Sequence, residues 1–395
     1  MEIKKQPSYI LLNEGEHPKE YLNAINPPVY NSSLHLFNNI TEYYKRETRK
    51  PGQYFYGRVD NPTTKVAESK IATLEHGRHA LIYSSGMAAA TNAVLHAVKY
   101  QSHIVCVKNA YSVLTHFIES FLALKMGVTI TYVDGFTTQE FEEAIQENTD
   151  LIILESPVSL TFSVQDIHEV CKLAKEKGIL TYIDNTYCTP LYQNPLDLGV
   201  DIVMHTCSKY FSGHSDLIAG VLVCNDEKLY QDLHLLREQT GGILDPRASS
   251  ELIKGMRTLQ VRVEAHSKIA YDVATFLENN EHIKKVYYPG LSSHPQHDLI
   301  KKQQRGSTGL LSFELKTTDE QEIVQFVDRL EVFKIGVSWG GFESLVCTPM
   351  LMCSEEEANL ANCGRGIIRI HCGLEGSEIL IQDLKQSLEK IAYDK

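Results

Sequence analysis

From about residue 80 the chain alternates between short apolar runs and stretches with helical spacing. Leu81-Ile82-Tyr83 predicts a strand that passes through Ser84-Ser85-Gly86 into the alanine-rich helix Met87-Ala88-Ala89-Ala90-Thr91-Asn92-Ala93-Val94-Leu95. Ile104-Val105-Cys106-Val107 predicts another strand, and Thr137 with Glu140 has the spacing of a capping box. Leu151-Ile152-Ile153-Leu154-Glu155 shows no polar alternation, as in a parallel strand buried on both faces. Ile167, Val170, Cys171 and Ala174 share one helical face, and Gly178 ends that helix. Leu180-Thr181-Tyr182-Ile183-Asp184 and residues 201–206 predict two further strands. Strands alternating with helices imply a mostly parallel α/β sheet, with ligands bound beyond the carboxyl ends of its strands.

The pattern changes on either side of this span. Residues up to about 50, with Asn26-Pro27-Pro28, have little periodicity and predict an irregular arm. Beyond about residue 250, a long helical stretch with Leu252, Met256, Leu259 and Val263 leads to Leu310-Leu311-Ser312-Phe313-Glu314-Leu315 and Ile367-Ile368-Arg369-Ile370. The expected organisation is an N-terminal arm over 1–53, a large domain over 54–250 and a smaller α+β domain over 251–395. A chain of 395 residues, 43% of them hydrophobic, exceeds what one core accommodates.

Charge and cysteine usage narrow the class. A formal net charge of −12 argues against nucleic acid and anionic membranes as partners. The longest apolar stretch, Leu217-Ile218-Ala219-Gly220-Val221-Leu222-Val223-Cys224, is too short to span a bilayer. Met1-Glu2-Ile3-Lys4-Lys5-Gln6 lacks the apolar segment of a secretory signal. The nine cysteines are scattered without Cys-x-x-Cys spacing, so neither a disulfide framework nor a zinc site is expected. Free thiols in a reducing cytoplasm are the simplest account. His294 and His297, in a loop with serine and proline, are not read as metal ligands.

Candidate chemistry concentrates at the strand ends. Lys209 follows a strand within His205-Thr206-Cys207-Ser208-Lys209-Tyr210-Phe211-Ser212-Gly213. A lysine among the hydroxyls of Thr206, Ser208 and Ser212 suits an imine with a phosphate-bearing aldehyde cofactor, and pyridoxal 5′-phosphate is of that kind. Ser84-Ser85-Gly86-Met87 lies at a strand-to-helix turn, where backbone N–H groups and the helix dipole suit a phosphate. Asp184 ends an apolar strand, a position from which a carboxylate can keep a pyridine nitrogen protonated. Tyr111, past the strand at 104–107, is placed to stack on a ring and move a proton. Arg369 suits two-pronged binding of a carboxylate, and Arg58 in Tyr56-Gly57-Arg58 suits a phosphate. Each alone also fits an ordinary turn, cap or surface charge; the argument rests on their convergence. No Gly-x-Gly-x-x-Gly follows an early strand, which disfavours a nicotinamide cofactor.

Five motifs in order resemble one family. They are Tyr56-Gly57-Arg58 with Asn61-Pro62-Thr63; Ser85-Gly86-Met87-Ala88; Asp184-Asn185-Thr186-Tyr187; Ser208-Lys209-Tyr210 with Gly213-His214-Ser215-Asp216; and Ser338-Trp339-Gly340-Gly341-Phe342-Glu343-Ser344-Leu345. From Tyr54 to Leu374 the chain resembles the cystathionine-type trans-sulfuration enzymes, the Cys/Met-metabolism group of pyridoxal-phosphate proteins. The resemblance implies the type I, aspartate-aminotransferase-like fold. It implies Lys209 as the Schiff-base lysine and Asp184 as partner of the ring nitrogen. It places Gly86, Met87, Thr206 and Ser208 at the phosphate, Tyr111 on the ring, and Arg369 with Ser338 at the substrate carboxylate. It also implies a homotetramer, a dimer of dimers, in which Tyr56 and Arg58 reach a neighbour's phosphate.

Within the group, Ser338-Trp339-Gly340-Gly341 and Arg369-Ile370-His371-Cys372-Gly373-Leu374-Glu375 look most like the cystathionine β-lyase branch, while residues 184–216 look equally like the methionine γ-lyase branch. Val337 lacks the acidic residue that γ-lyases acting on cystathionine tend to carry. Ser159-Leu160 stands where the family has Asn-Pro, whose Asn touches the cofactor's phenolic oxygen, and Ser112 replaces a customary Gly. The expected activity is C–S cleavage by α,β-elimination. The alternatives are γ-elimination or γ-replacement, a specialised lyase of the same family, and a non-catalytic cofactor-binding protein. Joint retention of Lys209, Asp184, Tyr111 and Arg369 argues against the last.

Overall fold

The computed structural model describes residues 3–46 and 52–391. Residues 1, 2 and 47–51 of the expected arm, and 392–395 of the expected C-terminal domain, lie outside the described residues.

Seven strands form the larger sheet: β1 (His79–Tyr83), β2 (His103–Val107), β3 (Thr129–Val133), β4 (Thr149–Glu155), β5 (Leu180–Asp184), β6 (Ile202–Thr206) and β7 (Gly220–Cys224). They lie in the order β1-β7-β6-β5-β4-β2-β3. Strands β2 to β6 pair in parallel, and β7 runs antiparallel to both β6 and β1. The sheet is therefore mostly parallel, as the alternation predicted. In β2 every residue is buried, and in β4 Leu151, Ile152, Ile153 and Leu154 are all buried. Each such aliphatic side chain contributes about 1.5–3 kcal/mol through burial. β7 was legible only as an apolar run, because a strand buried on both faces has no period of its own.

Helices cover both the sheet and the arm. They include α1 (Pro7–Asn13), α2 (Pro62–Leu74), α3 (Gly86–Ala97), α4 (Ile167–Lys177), α5 (Pro246–Met256) and α6 (Leu259–Glu278). α4 buries Ile167, Val170, Cys171 and Ala174 and stops at Gly178 in the left-handed conformation. The Thr137 N–H donates to Glu140, giving the expected capping box. The long helical stretch beyond 250 is two helices, separated at Arg257 and Thr258. The arm is less irregular than its sequence: α1 buries Ile10 and Leu11 against α2, and Lys70 of α2 is buried in an ion pair with Glu16 (2.9 Å). Beyond it, Leu22 is 98% and Leu36 89% exposed.

A second sheet follows, made of β8 (Ile283–Tyr287), β9 (Leu310–Leu315), β10 (Lys334–Ile335), β11 (Leu345–Cys347) and β12 (Ile367–His371), in the order β10-β11-β12-β9-β8. Its pairs are antiparallel except β10 with β11. The two cores meet on α6: the large-sheet core ends at Val263, and the second begins at Ala270. The expected boundary at 250/251 falls inside α5, whose Leu252, Ile253 and Met256 pack in the large core. Among the described residues no helix is long and apolar enough to cross a membrane.

Candidate active site

The carboxyl ends of β4, β5 and β6 open onto a cavity of about 610 Å³ lined also by residues of the second sheet. Its lining includes Gly86, Met87, Tyr111, Asp184, Thr206, Ser208, Lys209, Ser338 and Arg369. Nine of the eleven predicted site residues thus converge, from segments up to 283 positions apart (369 − 86). Hollows elsewhere, such as that of about 480 Å³ beside Tyr192 and Lys268, gather no comparable set.

One end of the cavity is built for an anion. The Ser85 hydroxyl caps α3 by accepting the Ala88 N–H (3.0 Å). The first-turn N–H groups of Gly86 and Met87 have no intrahelical acceptor, and the helix dipole adds positive potential there. Gly86 is required by crowding: a Cβ would lie 2.5 Å from Thr206 Oγ1. The Thr206 N–H donates to Thr186 Oγ1 (2.8 Å), and Ser208 Oγ accepts the Ala219 N–H (3.0 Å).

The other end carries the titratable groups. Lys209 Nζ donates to Ser338 Oγ (2.7 Å) and lies 5.4 Å from the centre of the Trp339 ring. Burial, and then the Arg369 guanidinium, lowers the Lys209 pKa to about 8. The loop after Lys209 is pinned by Arg262, whose guanidinium donates to Tyr210 O and Gly255 O (both 2.8 Å). Gly213, at φ +69°, leaves the room that this guanidinium occupies. Asp184 accepts the Thr186 N–H (2.9 Å) and the Thr186 hydroxyl. Burial raises its pKa against those hydrogen bonds and the nearby His205 and Lys209. Arg369 donates to Val337 O (3.2 Å), beside Ser338.

These features fit pyridoxal phosphate. Gly86, Met87, Thr206 and Ser208 could hold its phosphate, Lys209 its aldehyde carbon, Asp184 its ring nitrogen and Tyr111 its ring face. Gly86 in particular keeps open a cradle that a Cβ would fill.

Tyr56 and Arg58 are not brought into this cavity within one chain. Arg58 donates to Glu238 O (2.6 Å) and lies over the Tyr56 ring, with both side chains substantially exposed. The sequence reading also passed over Glu155 as a site residue. It lines the cavity, ends β4 opposite Asp184 of β5, and accepts hydrogen bonds from Tyr111 and Ser159. Its signal was the same one that exposed Asp184, an acid closing a buried apolar strand.

Known proteins resemble the chain along its whole length. It is 36% identical over 374 residues to cystathionine beta-lyase of Lactococcus lactis subsp. cremoris, covering 93% of this chain and 94% of that protein. It is 36% identical over 370 residues to L-methionine gamma-lyase of Fusobacterium nucleatum subsp. polymorphum, covering 92% and 93%. The crystal structure of metB from Corynebacterium glutamicum matches with a TM-score of 0.91 at 31% identity, over 98% of each chain. The model of one family spans residues 8–389, and the chain belongs to it: the Cys/Met metabolism PLP-dependent enzymes.

Proposed function

We propose that the chain is a carbon–sulfur lyase that cleaves cystathionine by α,β-elimination, with uptake of water, to homocysteine, pyruvate and ammonia. Arg369 and Ser338 hold the substrate carboxylate, the guanidinium by two parallel hydrogen bonds. That pose turns the substrate Cα toward Lys209. Pyridoxal phosphate, when bound, supplies an electron-withdrawing ring that acidifies the Cα–H. Asp184 holds a proton on the ring nitrogen, and Tyr111 covers the ring face. Lys209, with its pKa lowered to about 8 by burial and by Arg369, has a neutral fraction near neutrality and takes the Cα proton. The C–S bond electrons leave with sulfur as a thiolate from Cβ.

The observation that carries β- over γ-chemistry is Trp339. Its indole lines the cavity beside Ser338, with its centre 5.4 Å from Lys209 Nζ. Elimination from Cβ needs one proton removed in one substrate pose. γ-Chemistry needs Lys209 to serve both Cα and Cβ while the substrate side chain rotates, and the indole crowds that movement. Val337, without a carboxylate, and the similarity to the Lactococcus lactis cystathionine beta-lyase support the same reading. γ-Elimination is the second reading, favoured by the similarity to the Fusobacterium methionine gamma-lyase and by the smaller Ser159 in place of Asn. Purified enzyme given cystathionine, cystine or methionine separately decides between them. Pyruvate with homocysteine from cystathionine is expected, and predominant 2-oxobutyrate overturns the β-reading.

The reading extends to assembly and location. Tyr56 and Arg58, exposed and outside their own chain's cavity, would complete a neighbour's phosphate site in a homotetramer built as a dimer of dimers. A fully active monomer in sedimentation at assay concentration excludes this. Nine unpaired thiols suit a reducing cytoplasm; recovery of the protein outside the cytoplasmic fraction excludes that location.

A further inference from the structure

We propose that Glu155 is a positioning residue that ties the two loops flanking the cavity, those of Tyr111 and Ser159, to a single carboxylate at the end of β4. Glu155 Oε2 accepts the Tyr111 N–H (2.9 Å). Glu155 Oε1 accepts both the Ser159 N–H (2.9 Å) and the Ser159 hydroxyl (2.8 Å). Both oxygens are thus engaged, on segments that follow different strands, β2 and β4. The side chain is buried, so these bonds work in a medium of low polarity, where hydrogen bonds are strong.

The tether answers a local need. Tyr111 is 49% exposed and makes no side-chain cap for the short helix Ser112–His116 that it precedes. A ring packed so little needs its main chain fixed if it is to cover one face of a flat cofactor. Ser159 has a related role. It stands where the resembled family has Asn, and its hydroxyl is directed to Glu155 rather than across the cavity. In this chain residue 159 therefore acts through Glu155, and the space an Asn would fill belongs to the cavity that it lines.

The groups facing Glu155 leave it without a countercharge of its own. Asp184 sits opposite it on β5, Tyr182 lies on the same strand, and Cys106 lies on β2. All three are acids, and Lys209 donates to Ser338 while its charge acts on Asp184. Burial and then Asp184 push the Glu155 pKa up to about 8. Such a carboxyl is retained at a stability cost, as expected of a group with a task at the site.

The inference rests on the cavity being the cofactor site, and the test separates the two. Borohydride reduction of the holoenzyme should first place the cofactor on the Lys209 peptide. If another lysine is labelled, the reading of the cavity fails and this inference fails with it. With Lys209 labelled, Glu155→Gln keeps the side-chain volume but turns an N–H toward the Tyr111 N–H. We expect a markedly smaller near-ultraviolet circular dichroism from the pyridine ring of the reduced, equally loaded enzyme, and, in the unreduced enzyme, a cofactor Kd raised about tenfold, with far-ultraviolet dichroism unchanged. Ser159→Ala keeps both backbone tethers and should raise the Kd no more than about threefold. Wild-type dichroism and Kd in Glu155→Gln overturn the proposal. If Glu155→Gln does not fold, a pair at the other end of the tether decides. Tyr111 has φ −49°, near proline's own, so Tyr111→Pro removes the N–H with little strain, while Tyr111→Ala removes only the ring. A Kd about tenfold weaker in Tyr111→Pro than in Tyr111→Ala supports the tether, and equal values refute it.

Discussion

Two buried clusters of charge behave in opposite ways. Beside the sheet, Asp60, Lys65, Glu68 and Arg237 form a closed network: Arg237 bonds Glu68 (2.6 Å) and Asp60 (3.2 Å), and Lys65 bonds Glu68 (2.7 Å) and Asp60 (2.9 Å). Burial alone would raise both carboxyl pKa values. The hydrogen bond from His234 and the charge of Lys65 hold Asp60 well below its usual range, and Lys65 with Arg237 does the same for Glu68. At the strand ends, Glu155 is also buried and Asp184 partly so, but the positive groups near Asp184, His205 and Lys209, do not offset the burial beside an open cavity, and both acids are pushed up. The first cluster fixes the backbone at Val59, next to Tyr56-Gly57-Arg58, through an Arg237 bond of 3.2 Å. The second leaves its acids short of positive charge, which is the state that a protonated ring nitrogen relieves. Perturbed acids facing a hollow mark a working site, whereas equally buried but paired acids mark a structural one.

Breaking the closed network should cost stability rather than substrate binding. Arg237→Met leaves buried carboxylates under-compensated and should destabilise the fold by roughly 3–5 kcal/mol, read as a lower thermal midpoint, with KM of the surviving folded enzyme unchanged. Breaking the open cluster should do the reverse. Lys209→Ala should lower turnover by about 10³-fold while the far-ultraviolet dichroism stays that of the wild type. Turnover within tenfold of wild type would remove Lys209 from proton transfer.

Asp184→Asn sharpens the contrast, because it should divide the two properties. Loss of the charged hydrogen bond to the ring nitrogen should lower turnover about a hundredfold, roughly 3 kcal/mol. The same variant without cofactor should melt no lower than the wild type, since a neutral amide replaces an acid whose charged form burial disfavours. A clear drop in the melting point of that apoprotein would assign Asp184 to the fold.

The smallest effect concerns buried bases behind Trp339. His371 and His266 lie 5.0 Å apart, and both are fully buried. Burial, then His266, lowers the His371 pKa to about 3, and burial lowers that of His266 to about 4. Below about pH 6.5 the unfolded chain takes up protons that the folded chain refuses, so stability falls as the pH falls. Each histidine should account for about 2 kcal/mol lost between pH 7 and pH 5. His371→Gln should therefore move the acid-unfolding midpoint to lower pH, and an unchanged midpoint would contradict the assignment.

The sequence by itself determined the alternating architecture and named most of the residues that line the candidate site. Apolar runs such as 151–155 and the helical face of Ile167, Val170, Cys171 and Ala174 state their environment through residue type and period alone. Lys209, Asp184 and Gly86 were legible because each stands at a turn or strand end with a chemical requirement of its own, and Ser338 only through the family resemblance. Tertiary structure decided the rest. Only strand register sets Glu155 opposite Asp184, and only folding brings the Ser159 hydroxyl and the Tyr111 N–H to that one carboxylate. β7 announced no direction, since an apolar run carries none, and its antiparallel place between β6 and β1 follows from the pairing left open to it. The handover between cores within α6 was equally silent, because the helix is apolar toward both and the side chains it meets lie far away in the chain. Local chemistry is written in residue types; which acids share a cavity and which share a cation depends on distances that only the fold sets.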